Sequence, residues 1–225
     1  MARWHSAIKP KRSMRTRLLL SATVVLLGFS IAMYVTLGKH NGRTAPDIAG
    51  LLWPDPPVLG PFTLLDVDGK PFTKQEFLGH WTLVFFGFTN CPDICPTTLS
   101  TLNQVYEQMR GNADLFSRLQ VLFVSVDPER DSSDILRSYI HYFNNAFIGA
   151  TADKENLQRL TRQFGVLFLK VEIPGETSYS MDHSGSILLV DPNARFVGLF
   201  SLPHVASDIA DRLERMVSFL EAAEG

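Results

Sequence analysis

Two cysteines are the only thiols in 225 residues, and both lie in Thr89-Asn90-Cys91-Pro92-Asp93-Ile94-Cys95-Pro96. They follow a continuous apolar run, WTLVFFGF from 81 to 88, and precede a segment with helical character. Pro96 suits the first helical position, where its missing N–H costs little. A helix amino end carries partial positive charge and unpaired N–H groups, so the spacing predicts thiols biased toward thiolate. Two such thiols four positions apart can close a disulfide or hold one soft metal ion. A disulfide that merely staples the loop would do little, because so short a loop removes little entropy from the unfolded chain.

Known thiol designs narrow the choice. Thioredoxin-type oxidoreductases separate their cysteines by two residues, not three, and place a proline beside the dithiol. Here the stretch ahead of SILLV reads Met181-Asp182-His183-Ser184-Gly185. Peroxiredoxins need a threonine three residues before the reactive cysteine, but counting back gives Pro92 from Cys95 and Phe88 from Cys91. A metal site fits the spacing but needs a third donor: Cu(I) accepts two or three soft ligands, whereas structural Zn²⁺ usually takes four. Among the six histidines, His5 is in the basic amino end, His40 follows the apolar stretch, His80 sits in a Gly-His-Trp turn and His141 on a helix. His204 reads as a helix-start residue with a supporting role left open. His183 stands out because it precedes a core strand in a polar loop, a place where thioredoxin-like folds bring chain against the dithiol. The plain alternative, an ordinary exposed loop histidine, stays open on residue mechanics alone.

The elements that must position these groups alternate. Extended pieces flank the Asp-Gly turn in FTLLDVDGKPFT, buried strands are predicted at 81–88 and LQVLFVSV (119–126), and a further strand at VLFLKVEI (166–173). Helices are predicted over 96–109, over 132–142 behind Ser/Asp caps, and over 154–164. SILLV and RFVGLF form a predicted hairpin, and 206–220 a closing helix. The pattern predicts an α/β, thioredoxin-like sandwich.

Charge and hydropathy give the topology. The formal charge is −2, but six basic residues and no acid precede position 18, which leaves 15 basic against 23 acidic residues beyond it. Ordinary globular composition, 45% hydrophobic and 20% charged, argues against a disordered or nucleic-acid-binding chain. Residues 18–38 contain no charge and would span about 31 Å as a helix, the thickness of a bilayer core. The expected organisation is a basic cytoplasmic tail (1–17), a transmembrane signal anchor (18–38), a Pro-rich tether (39–60) and one exported domain (61–225). Without an Arg- and Ser-rich presequence, the sequence points to a bacterial inner membrane with the domain in the periplasm, ahead of a mitochondrial inner membrane.

CPDICP after an apolar strand, SVDPERD (125–131), FGV (164–166) and DHSGSILLVDP (182–192) resemble the Sco/SenC copper proteins, which assist cytochrome c oxidase assembly. The resemblance covers about 60–225. It implies a thioredoxin-like domain that binds copper, as Cu(I) with Cu(II) left open, through Cys91, Cys95 and His183. It also implies a monomeric partner for oxidase subunit II, delivering copper to the CuA cysteines. The alternative is a thiol-disulfide reductase or redox sensor acting on an exported dithiol, with Cys91 and Cys95 as the redox pair and copper incidental. Asp182 could orient the imidazole, Met181 is expected to pack rather than ligate, and Asp127 to Asp131 is expected to be a turn and helix cap without chemistry.

Overall fold

A computed structural model describes residues 25–31, 33, 47–52, 54–172 and 179–224. The basic tail and most of the expected anchor and first half of the tether lie outside the described residues. Residues 25–31 and 33 are helical and exposed. Among the described residues no helix is long and apolar enough to cross a membrane. A compact unit begins at Ala45.

Among the described residues from 47 onward the strands are β1 (Thr63–Asp66), β2 (Pro71–Thr73), β3 (Trp81–Gly87), β4 (Leu119–Ser125), β5 (Ile148–Thr151), β6 (Phe168–Glu172), β7 (Tyr179–His183), β8 (Ile187–Val190) and β9 (Phe196–Phe200). The α-helices of this unit are α1 (Ile94–Gln108), α2 (Ala113–Arg118), α3 (Ser133–Phe143), α4 (Lys154–Phe164) and α5 (Ala206–Glu224). Seven strands form one sheet in the order β2-β1-β5-β4-β3-β8-β9. β3 runs parallel to β4 and antiparallel to β8, and β4 runs parallel to β5. All seven residues of β3 are buried, as expected of a central strand covered on both faces, where apolar side chains must point both ways.

Local chemistry sets the helix limits. The Ser132 hydroxyl accepts from Ile135 N at the start of α3, and Asp153 accepts from Asn156 N at 2.9 Å at the start of α4. Gly165, at φ +66°, ends α4 in the left-handed conformation. α1 begins two residues before Pro96, so the proline occupies the third helical position and not the first. That position is still within the turn whose N–H groups lack helical partners.

Three features differ from the sequence expectation. β5, the short α2 and β7, where the sequence suggests a polar loop at His183, carry too little periodic signal to stand out. The strand predicted at 166–173 is shorter and does not join the main sheet: β6 pairs antiparallel with β7 in a separate ribbon, Phe168 opposite His183. Within the expected tether, the described residues lie against β9: Leu52 N donates to Val197 O at 2.8 Å and Phe196 N to Pro57 O at 2.9 Å. A Cβ on Gly50 would fall 1.9 Å from Leu199 O, so this close approach requires glycine.

Candidate metal centre

Cys91 follows the end of β3, Cys95 lies in the first turn of α1, and His183 is the last residue of β7. The sheet brings them together: β3 pairs with β8, which directly follows the His183 loop. The three donor atoms lie within 4.8 Å of one another, and His183 Nε2 is 3.5 Å from Cys95 Sγ although the residues are 88 positions apart. Both cysteines are free thiols, Cys95 buried and Cys91 half-buried. Metal bonds to sulfur and nitrogen of about 2.0–2.3 Å place one ion among donors at such separations.

Close packing fixes Cys95. A Cβ on Gly87 would stand 2.7 Å from Cys95 Sγ and 2.8 Å from Phe123 Cε2, so the thiol occupies the space that glycine leaves free. His183 is wedged between two aromatic rings, with Phe85 at 6.0 Å and Phe88 at 5.9 Å, both roughly edge to face. The Ser184 carbonyl lies 3.1 Å from His183 Nδ1. A proton on Nδ1 donates to that carbonyl and leaves the Nε2 lone pair facing the thiols. The orienting acceptor is thus the Ser184 carbonyl; Asp182 is exposed and contributes charge only.

Electrostatics correct one expectation. Burial pushes the Cys95 thiol well above the usual range, reinforced by the charge of Cys91 and opposed by a backbone hydrogen bond from Phe88. The desolvation cost of a buried anion outweighs the favourable helix end, so Cys95 rests as a thiol until a cation compensates its charge. Burial also lowers the His183 pKa, against the Ser184 hydrogen bond and Asp182. A neutral imidazole is the form that ligates.

Among the described residues no other histidine joins the group. His80 and His141 are exposed, and His5 and His40 lie outside the described residues. His204 links elements: its Nδ1 lies 3.1 Å from Thr98 Oγ1 on α1 and its Nε2 3.2 Å from Phe200 O on β9. Met181 is 7% exposed, in keeping with the expected packing role.

Sequence reasoning missed the support behind the cysteine loop. Asp131, 1% exposed, accepts from Thr89 N at 3.0 Å, Thr89 Oγ1 at 2.6 Å and Ser125 Oγ at 2.5 Å. It therefore ties the residue two before Cys91 to the end of β4. A buried acid next to Pro and Arg in SVDPERD reads as a turn; only its contacts reveal the tie. Two thiols and one imidazole can hold a soft cation that accepts three ligands, and they fall one donor short of a closed zinc site.

A family model described as SCO1/SenC matches residues 54–218. A putative copper-binding protein of Stutzerimonas stutzeri is 37% identical over 153 residues, which cover 68% of this chain and 74% of that protein. Protein SCO2 homolog, mitochondrial, of Mus musculus is 34% identical over 159 residues, 71% of this chain and 62% of the mouse protein. Among solved structures, Arabidopsis thaliana ScoI with copper bound aligns with TM-score 0.67 at 32% identity, covering 72% of this chain and 99% of that one. Bradyrhizobium japonicum ScoI with copper bound aligns with TM-score 0.63 at 35% identity, covering 71% and 99%.

Proposed function

The chain belongs to the SCO1/SenC family, and from that premise we propose that it is a copper carrier whose cargo is held by Cys91, Cys95 and His183. The observation that carries this reading is the convergence of three donor atoms within 4.8 Å, one of them 88 positions away in sequence. Two thiolates and a neutral imidazole suit Cu(I), which tolerates three soft ligands. Its charge compensates the burial that otherwise keeps Cys95 protonated, so loading and deprotonation occur together.

In this proposal residues 18–38 anchor the chain in a bacterial inner membrane, the domain faces the periplasm as a monomer, and the client is the CuA cysteine pair of cytochrome c oxidase subunit II. The copper-bound relatives in Arabidopsis thaliana and Bradyrhizobium japonicum support the cargo. The half-buried Cys91 and His183 leave one side of the site open to a client's thiols.

The proximity of the two free thiols favours a second reading. Cys91 and Cys95 could pass two electrons and two protons to a client disulfide, ending as a disulfide themselves. His183 separates the readings, because copper transfer needs the imidazole and dithiol exchange does not. The test is an anaerobic Cu(I) titration of the full reduced chain in detergent against a competing chelator, wild type beside His183→Ala. One tight equivalent, weakened at least tenfold in the variant, is expected. Unchanged affinity would sink the three-ligand site, and rapid reduction of a client disulfide by that variant would favour the reductase.

A further inference from the structure

The turn from Asp127 to Asp131 faces both halves of the site. Asp131 serves the cysteine loop; Asp127, 2% exposed, serves the histidine side. Asp127 Oδ1 accepts from the Tyr179 hydroxyl at 2.7 Å, and its other oxygen accepts from Arg130 Nε. Arg130 Nη1 donates to Tyr179 O at 2.8 Å. The guanidinium carbon lies 3.7 Å from the Tyr179 ring centre and 5.7 Å from that of Phe88, the ring standing edge-on to His183. Tyr179 opens β7 and His183 ends it.

This clamp answers a question that the sheet leaves open. Among the described residues β6 and β7 pair with each other and not with the seven-stranded sheet, so no ladder there fixes the angle of the ribbon against the cysteine loop. Arg130 and Tyr179 supply a half-buried constraint from the amino end of β7, beside the exposed ion pair of Lys170 on β6 with Glu129 at 2.7 Å, and the Ser184 carbonyl orients the imidazole at the other end. Among the described residues Arg130 Nη2 is buried without a hydrogen-bond partner, so the guanidinium is held by Asp127, the Tyr179 carbonyl and the two rings.

We propose that Arg130 and Tyr179, clamped on Asp127, are positioning residues that hold the β6–β7 ribbon so that His183 reaches the dithiol. The proposal rests on the reading of Cys91, Cys95 and His183 as the copper ligands. Breaking the clamp should leave a two-thiolate site with the imidazole released, which gives a signature that general destabilisation does not.

The test loads the full reduced chain in detergent with Cu(I) and measures affinity by chelator competition, with X-ray absorption reporting the nitrogen ligand. Tyr179→Ala and Arg130→Gln are each made with and without His183→Ala. Loss of such supporting contacts typically weakens metal binding about 10- to 100-fold. That loss, together with a missing nitrogen signal, is expected where His183 is present, and no further loss where it is already alanine. Tyr179→Phe, which keeps the ring against the guanidinium, should retain the nitrogen signal. Should Tyr179→Ala not fold, the Arg130→Gln pair carries the comparison. Equal losses in both backgrounds, or an intact nitrogen signal in both clamp variants, would overturn the positioning role alone. If His183→Ala by itself leaves affinity unchanged, the three-ligand reading fails and the clamp's role with it.

Discussion

Replacing Asp131 by alanine removes one buried carboxylate and the acceptor of three donors, of which the Thr89 hydroxyl keeps an alternative in Asn90 Oδ1 at 3.1 Å. Ser125 Oγ is the costliest, because Ser125 is 0% exposed and its hydroxyl loses the acceptor at 2.5 Å. A buried donor left unsatisfied costs about 1–3 kcal/mol. Thr89 is only half-buried, so water can partly replace what its N–H and hydroxyl lose. The variant also avoids the desolvation of the carboxylate itself. The net destabilisation expected is about 2–4 kcal/mol, which in a domain of this size lowers Tm by roughly 5–15 °C. Asp131→Asn keeps the shape and part of the acceptor capacity, and should lose about half as much. Circular dichroism melts of the reduced apo chain read the stability, and Cu(I) competition reads the site. Because Thr89 stands two residues before Cys91, copper affinity should fall about tenfold in the alanine variant. A melt within about 2 °C of wild type for Asp131→Ala would refute the reasoning, since stranding a fully buried hydroxyl cannot be that cheap.

Gly87→Ala drives a methyl into the space held by Cys95 Sγ at 2.7 Å; a loss of about 1–3 kcal/mol in chemical denaturation is expected, with copper affinity falling alongside it. Copper affinity should rise with pH, about tenfold per unit for each proton displaced, because the Cys95 thiol is raised by burial and must deprotonate on loading. Calorimetry in buffers of different ionisation enthalpy measures that proton release, and its absence at neutral pH would contradict the buried thiol. Burial shifts the His183 pKa the other way, downward, so proton competition at the imidazole has the same sign as at Cys95 but sets in at lower pH than for an ordinary histidine. His204→Ala severs the contacts to Thr98 and Phe200; it should cost about 1–3 kcal/mol in stability while leaving Cu(I) affinity within about twofold, as checked by a melt and a titration on the same sample.

The apolar runs at 81–88 and 119–126 announced β3 and β4 because strands covered on both faces need uninterrupted apolar side chains. The Ser132 cap marked a helix start through a hydrogen-bonding preference that acts within a few residues. The spacing of Cys91 and Cys95, and a histidine beside a core strand, were legible for the same reason: residue type and separation are local facts. They named the chemistry available and shortened the choice of third ligand to one strong candidate.

What lay beyond reach depends on chain segments distant in sequence meeting in space. β7 carries no periodic signal of its own and is a strand because β6 pairs with it. The helix end at Cys95 argued for a thiolate, but the packing of Gly87 and Phe123 around its sulfur removes water, and that desolvation decides the protonation state. Asp127 and Asp131 read as parts of an ordinary turn until the fold set Tyr179 and Thr89 against them. The sequence by itself determined which donors exist and which elements carry them. Only the tertiary structure decided their separation, their dielectric surroundings and what holds them in place, because distance and burial belong to pairs of segments and not to any one of them.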